Sequence, residues 1–526
     1  MAGVEHRVCG DDELAEGAMR AVEPGGRKIL LARVRGVCRA VGGTCPHAGG
    51  PLAEGVLHGD VVVCPWHKAA FRVTTGERVE PPAVDDLPAF PVRVVDGQVL
   101  VTVGDEPDRV DPAPAAKDGG GGADRRTFVI VGAGAAGAMA AQTLREEGFA
   151  GRVVLVGRED RLPYDRTVLS KYALSGRRGG EKTPLQDEAF YARHGIERLA
   201  REVARVDVGS RAVVFADGAT LAYDAALVAT GGTPRPFEVP GAGSAGVFVL
   251  RSAEDAERIA AAAGGARRAV VVGAGFIAVE AAASLRERGL EVTVVAPAAE
   301  PFERQLGPEV GGAIRRVHER EGVAFRLGQE VASIEGDGRV REVVLRDGSR
   351  LPADLVVAGL GVAPATGLLR GVGPRGDGGV GVDAGLRAAE GLFAAGDIAA
   401  FPLRGDGPPV RVEHWRVAQQ HGRVAALNML GRGAAYDAVP VFWTIQFKKR
   451  LDYVGHTERW DEVVVDGDLG AAGEAPGFVA YYVRDGRVAA LAGWDRDRPM
   501  AAAVHLMTER RDWARADLRD ALRPWA

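Results

Sequence analysis

Residues 127–149 read TFVIVGAGAAGAMAAQTLREEGF, and the fold of most of the chain follows from them. TFVIV is a continuous apolar run of the kind a strand carries when both of its faces are buried, and the Ala-rich segment after the glycines has helical character. Between them stand Gly132, Gly134 and Gly137. In a dinucleotide-binding turn the first such glycine allows the turn, the second admits a pyrophosphate, and the third lets helix and strand touch. The helix N-terminus then faces the phosphates with its partial positive charge. A glycine pattern alone is weak evidence. It gains weight from the next strand, VVLVGRED, which ends at Glu159, an acid able to accept hydrogen bonds from a ribose.

The plan recurs. RRAVVVGAGFIAVEAAASLRERGLEVTVVAP places Gly273 and Gly275 at the corresponding points, 141 residues after Gly132, with Ala278 third. Two strand-turn-helix units predict two doubly wound nucleotide domains, and two dinucleotide sites in one chain argue for FAD together with NAD(P)H. The strand after the second motif ends in Ala296 and Pro297. Neither the acid typical of NADH sites nor an Arg for a 2′-phosphate stands there, so NADH and NADPH both remain open.

On the N-terminal side of this region the composition changes. Residues 105–125, DEPDRVDPAPAAKDGGGGADR, combine Pro, Gly and charge without apolar periodicity, the composition of a flexible tether. The first hundred residues show short alternating runs between Gly and Pro turns and predict a small, mostly β domain. Within it lies CPHAGGPLAEGVLHGDVVVCPWH, residues 45–67: Cys45 and His47, then sixteen residues, then Cys64 and His67. Each loop can aim one thiolate and one imidazole at a shared centre. A Rieske [2Fe-2S] cluster needs that mixture, two thiolates on one iron and two imidazoles on the other. Pro46 and Pro65 stiffen the loops, and Gly49, Gly50 and Gly55 permit close backbone approach. Two alternatives stand beside it: a structural zinc site, for which C-x-H is tight, and unconnected residues in a β domain. Cys9 and Cys38 lie outside the pattern and read as buried thiols.

The totals are consistent with several globular domains. The 526 residues exceed one core. With 71 acidic against 66 basic residues and a formal charge of −5, nothing points to nucleic acid or an anionic membrane. No apolar run approaches the roughly 18 residues of a membrane span, and the N-terminus lacks a secretory pattern. A cytoplasmic protein, monomer or homodimer, is expected. All four cysteines fall within the first 64 residues, which suits a local metal site and excludes a redox disulfide on the helix after the first glycine motif. The C-terminal part from about Val439 returns to alternating strands, VFWTIQF, DEVVVDGD and GFVAYYVRDGRVAALAGW, followed by a short helical tail.

Six further segments carry a resemblance: LPYDRTVLSK (162–171), VATGGTPR (228–235), GAGFIAVE (273–280), GLGVAPATGLL (359–369), GLFAAGDIAAFP (391–402) and EHWRVAQQHGRVAALNML (413–430). Together they resemble the FAD-dependent ferredoxin reductases of oxygenase systems. With the Rieske front end, the chain is similar to the apoptosis-inducing-factor-like flavoproteins that fuse both parts. The resemblance implies a multidomain fold: an all-β Rieske domain (1–104), the tether (105–125), a Rossmann-like FAD domain in two parts (126–245 and 371–436) around a NAD(P)H domain (246–370), glutathione-reductase-like, and a C-terminal α+β reductase domain (437–526). It also implies site residues. Arg166 and Lys171 would contact FAD, with the Lys171 ammonium near the isoalloxazine. Gly396 and Asp397 would meet its ribityl or phosphate region, Glu280 would lie by the nicotinamide, Trp415 against the flavin and nicotinamide pocket, and Trp443 near the flavin. Lys171, Glu280 and Trp415 are the expected catalytic set. The implied activity is electron transfer from NAD(P)H through FAD to the fused cluster and on to an external acceptor such as an oxygenase or P450 component. The tether would favour the internal step by raising local concentration. An NAD(P)H-responsive redox sensor with little turnover is the rival reading.

Overall fold

The computed structural model describes the chain except residues 1–2, 106, 108–109, 113–123, 177–183, 471–476, 510–512, 519–521 and 523–526. Most of the tether expected at 105–125 therefore lies outside the described residues.

The first glycine motif joins strand β1 (Thr127–Val131) to helix α1 (Ala135–Glu146). β1 is central in a six-stranded sheet, flanked by Arg152–Gly157 and Ala225–Val228 in parallel register. Its residues Phe128–Val131 are buried on both faces, as its unbroken apolar run requires. The strand Leu392–Ala394 joins the same sheet in parallel from far along the sequence. The second motif repeats the arrangement in a separate five-stranded parallel sheet, where strand β2 (Arg268–Val272) leads into helix α2 (Phe276–Glu287). Helix α3 (Trp415–Met429) lies across α1. A Cβ on Gly422 would come within 2.1 Å of the Ala136 carbonyl oxygen, so only glycine permits this crossing.

The C-terminal part is a five-stranded antiparallel sheet beginning with β3 (Val441–Gln446), with helix α4 (Asp497–Glu509) packed on it. The N-terminal part consists of three small antiparallel sheets. It is seated firmly on the rest of the molecule. Residues 78–86 lie over α1 and α3. Arg78, 7% exposed, donates from Nη2 to both carboxylate oxygens of Glu146, at 2.9 and 3.1 Å. Gln142 donates to the Val84 carbonyl at 2.6 Å, Arg416 to the Pro81 carbonyl at 2.9 Å, and Gln420 to Glu80 at 2.5 Å. On the other side Val56, Val63 and Ala70 share an apolar cluster with α4. The front domain is thus held by specific contacts, a stronger constraint than the raised local concentration a tether supplies.

Candidate functional site

A cavity of about 660 Å³ opens where α1, α3, β3 and the start of α2 meet. Gly134 caps α1, and Ala135 and Ala136 of its first turn line the cavity, so the free N–H groups of the helix end face it. Gly132, with φ of +116°, lines it too, and a Cβ there would strike the Ala229 carbonyl oxygen at 2.2 Å. Gly137 lies behind the lining, and its own Cβ would fall 1.8 Å from the Gly132 carbonyl oxygen. Its role is the closeness of helix and strand.

The acids and bases of the LPYDR segment surround the same space. Glu159, Arg166 and Lys171 all line it. Glu159 accepts from Arg166 at 2.5 Å and from the Tyr164 hydroxyl at 2.7 Å. Burial raises its pKa, but those two hydrogen bonds and the Arg166 charge outweigh burial and leave it below the ordinary carboxylate range. Each of its oxygens thus holds one partner and keeps acceptor capacity toward the cavity. Asp397 sits in a tight turn with Gly396 (φ +72°), both lining the cavity, and faces Arg251 at 3.3 Å.

Lys171 and Glu280 come together although 109 positions apart: their Nζ and Oε1 atoms are 3.1 Å apart and both side chains are buried. Lys171 also donates to the Thr167 carbonyl at 2.7 Å, and Glu280 accepts from Thr444 of β3 at 2.5 Å and from Ser170. Trp415 opens α3 and lines the cavity, its indole Nε1 buried and without a hydrogen-bond partner among the described residues. Trp443 of β3 lines it as well.

Gly273 and Gly275 do not line this cavity. Gly273 (φ +112°) is pressed against the Gly359 carbonyl oxygen, 2.4 Å from its would-be Cβ, and Gly275 caps α2 with open space beside it. Phe276 and Ile277, the next two residues, reach the cavity, and Ile277 is 37% exposed. The second motif therefore borders the cavity from its own side and leaves the α2 N-terminus open.

Behind Trp443 lie the four front ligands, all buried. Cys45 N–H donates to the Gly50 carbonyl and Cys64 N–H to the Ala69 carbonyl, both at 2.8 Å, which folds each loop around its ligands. The loops abut: a Cβ on Gly50 would sit 2.8 Å from Cys64 Sγ. The neighbouring Cys64 thiol and burial push Cys45 well above the ordinary thiol range. Cys64 sits lower, at about 7: burial raises it, but the Cys45 hydrogen bond, the N–H groups of Trp66 and His67, and the Lys68 charge outweigh that. The imidazoles converge as well, His47 Nδ1 lying 3.0 Å from His67 Nδ1. Burial and then the neighbouring His47 push the His67 pKa well down, favouring the neutral, ligating form. Two neighbouring thiols and two facing imidazole nitrogens, closed off from solvent, fit a Rieske cluster. The cavity, with its helix N-terminus, its glycines and the unpartnered Trp415 N–H, fits a dinucleotide.

Three residues that the sequence reading did not single out tie these two sites together. His47 Nε2 faces Asp165 Oδ2 at 3.3 Å, and the other Asp165 oxygen accepts from Thr167 N–H at 2.8 Å. Asp165 belongs to the same LPYDR segment as Arg166, and its side chain is 2% exposed. The His67 ring lies 4.5 Å and the His47 ring 5.9 Å from Trp443, centroid to centroid. Lys68, next to His67, is fully buried and donates to Asp452 at 2.5 Å and to the Pro65 carbonyl at 2.6 Å. Asp165 could have been suspected from its motif. Lys68 and Asp452 carried no signal, because their pairing spans 384 positions.

Comparison with known proteins agrees with this layout. Family models match residues 126–422 (pyridine nucleotide-disulphide oxidoreductase), 4–91 (Rieske [2Fe-2S] domain) and 441–524 (reductase C-terminal). Apoptosis-inducing factor 3 of Mus musculus is 39% identical over 512 residues, covering 95% of this chain and 83% of that protein. The ferredoxin reductase component of a chlorobenzene dioxygenase from Cupriavidus sp. (strain PS12) is 38% identical, covering 72% of this chain and 92% of its own. Among solved structures, the covalent putidaredoxin reductase–putidaredoxin complex superposes with a TM-score of 0.68 at 32% identity, over 73% of this chain and 93% of that one.

Proposed function

The chain belongs to the pyridine nucleotide-disulphide oxidoreductase family, and from that premise we propose that it is a ferredoxin-reductase-type NAD(P)H oxidoreductase that delivers electrons to a Rieske centre in its own polypeptide. When bound, FAD takes a hydride from NAD(P)H and a [2Fe-2S] cluster accepts electrons singly. The observation that carries the reading is the seam between the sites: the cluster histidines lie against Asp165 and Trp443, and Trp443 is also a wall of the cavity.

The roles of the residues follow from their placement. The α1 N-terminus, Gly132 and Gly134 receive the FAD pyrophosphate, and Gly137 holds α1 close enough to do so. Arg166, kept in position by Glu159, and Asp397 with Gly396 orient the rest of the dinucleotide. Lys171 holds its ammonium at the cavity and so favours negative charge developing there, while Glu280 fixes it and reaches across from α2, the NAD(P)H side. Gly273 and Gly275 leave the α2 N-terminus free for the coenzyme pyrophosphate. Trp415 and Trp443 exclude water from the space between. Cys45, Cys64, His47 and His67 hold the cluster, and Asp165 accepts from the outer nitrogen of His47, fixing which nitrogen faces the metal.

An external oxygenase or P450 component is the proposed acceptor, and the similar dioxygenase reductase component and the putidaredoxin complex support this class of partner. A cytoplasmic setting and a monomer or homodimer belong to the same proposal. The free Cys9 and Cys38 thiols suit a reducing compartment, and no described helix is long and apolar enough to cross a membrane. The sensor alternative is not favoured, because signalling by coenzyme binding gives no reason to seat a cluster on the flavin wall.

Stopped-flow mixing of holoprotein with NADH, and separately NADPH, tests the reading. Fast flavin bleaching followed by cluster reduction is expected, with the second phase slowed in Asp165→Ala and the first unchanged. Very slow flavin reduction with a persistent charge-transfer band would overturn it.

A further inference from the structure

Away from the cavity, on the far side of the front domain, the strand Val56–His58 ends against α4. There His58 Nε2 lies 3.1 Å from Glu509 Oε1, and His505 Nε2 lies 3.0 Å from Glu509 Oε2. The two imidazoles overlap, their centroids 3.2 Å apart and their planes tilted by 31°. All three potential ligand atoms fall within 4.8 Å of one another. His505 and Glu509 are one helical turn apart and so share a face of α4, while the third donor comes from a different domain.

As an ion pair this arrangement is poor. One carboxylate serves two imidazoles, and charging both would set two cations face to face. A single divalent ion suits all three donors with both imidazoles neutral. Two imidazoles and a carboxylate are a zinc donor set that leaves one position open, and at bond lengths of about 2.0–2.2 Å tetrahedral ligands stand roughly 3.3–3.5 Å apart, against 3.0 and 3.1 Å from the imidazoles to the two carboxylate oxygens and at most 4.8 Å within the set. We propose that His58, His505 and Glu509 form a divalent transition-metal site, zinc being the ion it suits, that staples the front domain to the C-terminal domain.

The location gives the site a purpose. Val56, two residues before His58, shares a buried apolar cluster with Leu506 and Met507 of α4. The strand Val56–His58 pairs antiparallel with Val61–Val63, which runs directly into Cys64. An ion on His58 therefore anchors the hairpin that carries a cluster loop, and metal binding favours the seated arrangement of the front domain. The inference stands independently of the activity proposed above, since it concerns occupancy and domain seating alone.

The test uses holoprotein with flavin and cluster in place, titrated with zinc chloride in competition with a chromophoric chelator. One saturable equivalent is expected, with the cluster's visible spectrum unchanged. His58→Ala and His505→Ala should each weaken binding at least about tenfold, given that losing even supporting partners of metal ligands costs 10–100-fold. Glu509→Gln, which keeps the shape of the side chain, should do the same without lowering the metal-free melting midpoint. Zinc should also slow amide exchange in residues 56–63 and 497–509 of the native chain, and not in His58→Ala. No saturable site in the native protein, or equal affinity in all three variants, would overturn the assignment, as would bleaching of the cluster in step with zinc uptake.

Discussion

The two strand-turn-helix units solve one packing problem in different ways. In the first, Gly137 of α1 rests against the Gly132 carbonyl, and the residue facing the turn on the neighbouring strand is Ala229. In the second, α2 carries Ala278, and the facing residue is Gly359, whose would-be Cβ would lie 2.8 Å from the Ala278 Cβ. In the second unit the helix carries the methyl group and the residue just past the neighbouring strand gives it room; in the first the helix carries none, and its glycine meets the backbone of the turn. The surroundings differ too. α1 is also pinned from outside by Gly422 of α3, whereas α2 faces β3 and sends Glu280 into the cavity of the first unit. The third position of the motif is therefore a volume condition shared by two residues in the second unit, whereas in the first it is set by the backbone of the turn itself.

That comparison can be broken at several points. Gly137→Ala should be the most damaging, because the added methyl meets backbone at 1.8 Å. A loss of more than about 3 kcal/mol and of flavin retention is expected in thermal unfolding and cofactor-release assays, and Ala229→Gly should not rescue it. Glu280→Ala tests the reach of the second unit into the first. It strands the buried Lys171 ammonium, at a cost of about 3 kcal/mol, and Lys171→Ala in the same chain should recover most of the loss. Gly359→Ala should cost about 1–3 kcal/mol by overpacking. Here Ala278→Gly should rescue in part, giving a coupling of about 1 kcal/mol in a double-mutant cycle, and strictly additive losses would sink the shared-volume account.

Acid sharpens the contrast with a smaller effect. Burial holds His421, on α3 behind the first unit, down at about 3, and His318, packed by α2 of the second, at about 4. Both are neutral when folded, whereas an unfolded histidine takes up its proton near pH 6.5. Their contribution is complete above that pH and drains away below it, by up to about 1.4 kcal/mol per pH unit for each residue. The drain ends near pH 4 for His318 and near pH 3 for His421. Denaturant midpoints compared at pH 7 and pH 5 should show a shallower loss in His421→Gln, which can keep the bond accepted from Gly396 N–H. An unchanged slope would mean that His421 is already charged in the fold.

Much of this was legible in the sequence because it is local. The glycine turns, the Cys and His loops and the alternating strands of the two ends each occupy a few consecutive residues, and the order of Rieske, dinucleotide and reductase regions followed from them. What escaped depends on residues that meet only after folding. Nothing near Gly359 marks it as the partner of Ala278, and Lys68 reads as one more surface lysine until Asp452 is beside it. The partners of Glu159 were hidden in the same way, since Arg166 and Tyr164, though close in sequence, turn back on it only in the folded loop. The composition of residues 105–125 reads as a flexible tether, whereas the contacts that seat the front domain come from residues 78–86, a stretch without any motif.

Those contacts bear on reaction order. With Arg78 on Glu146 and the Pro81 carbonyl on Arg416, donor and acceptor sites meet within one molecule without a collision between proteins. The internal hand-off is then unimolecular, and its half-time should be the same in a nanomolar solution as in a micromolar one, where a pair of separate chains would slow on dilution. A competing ferredoxin added in excess would likewise find the reductase face already taken.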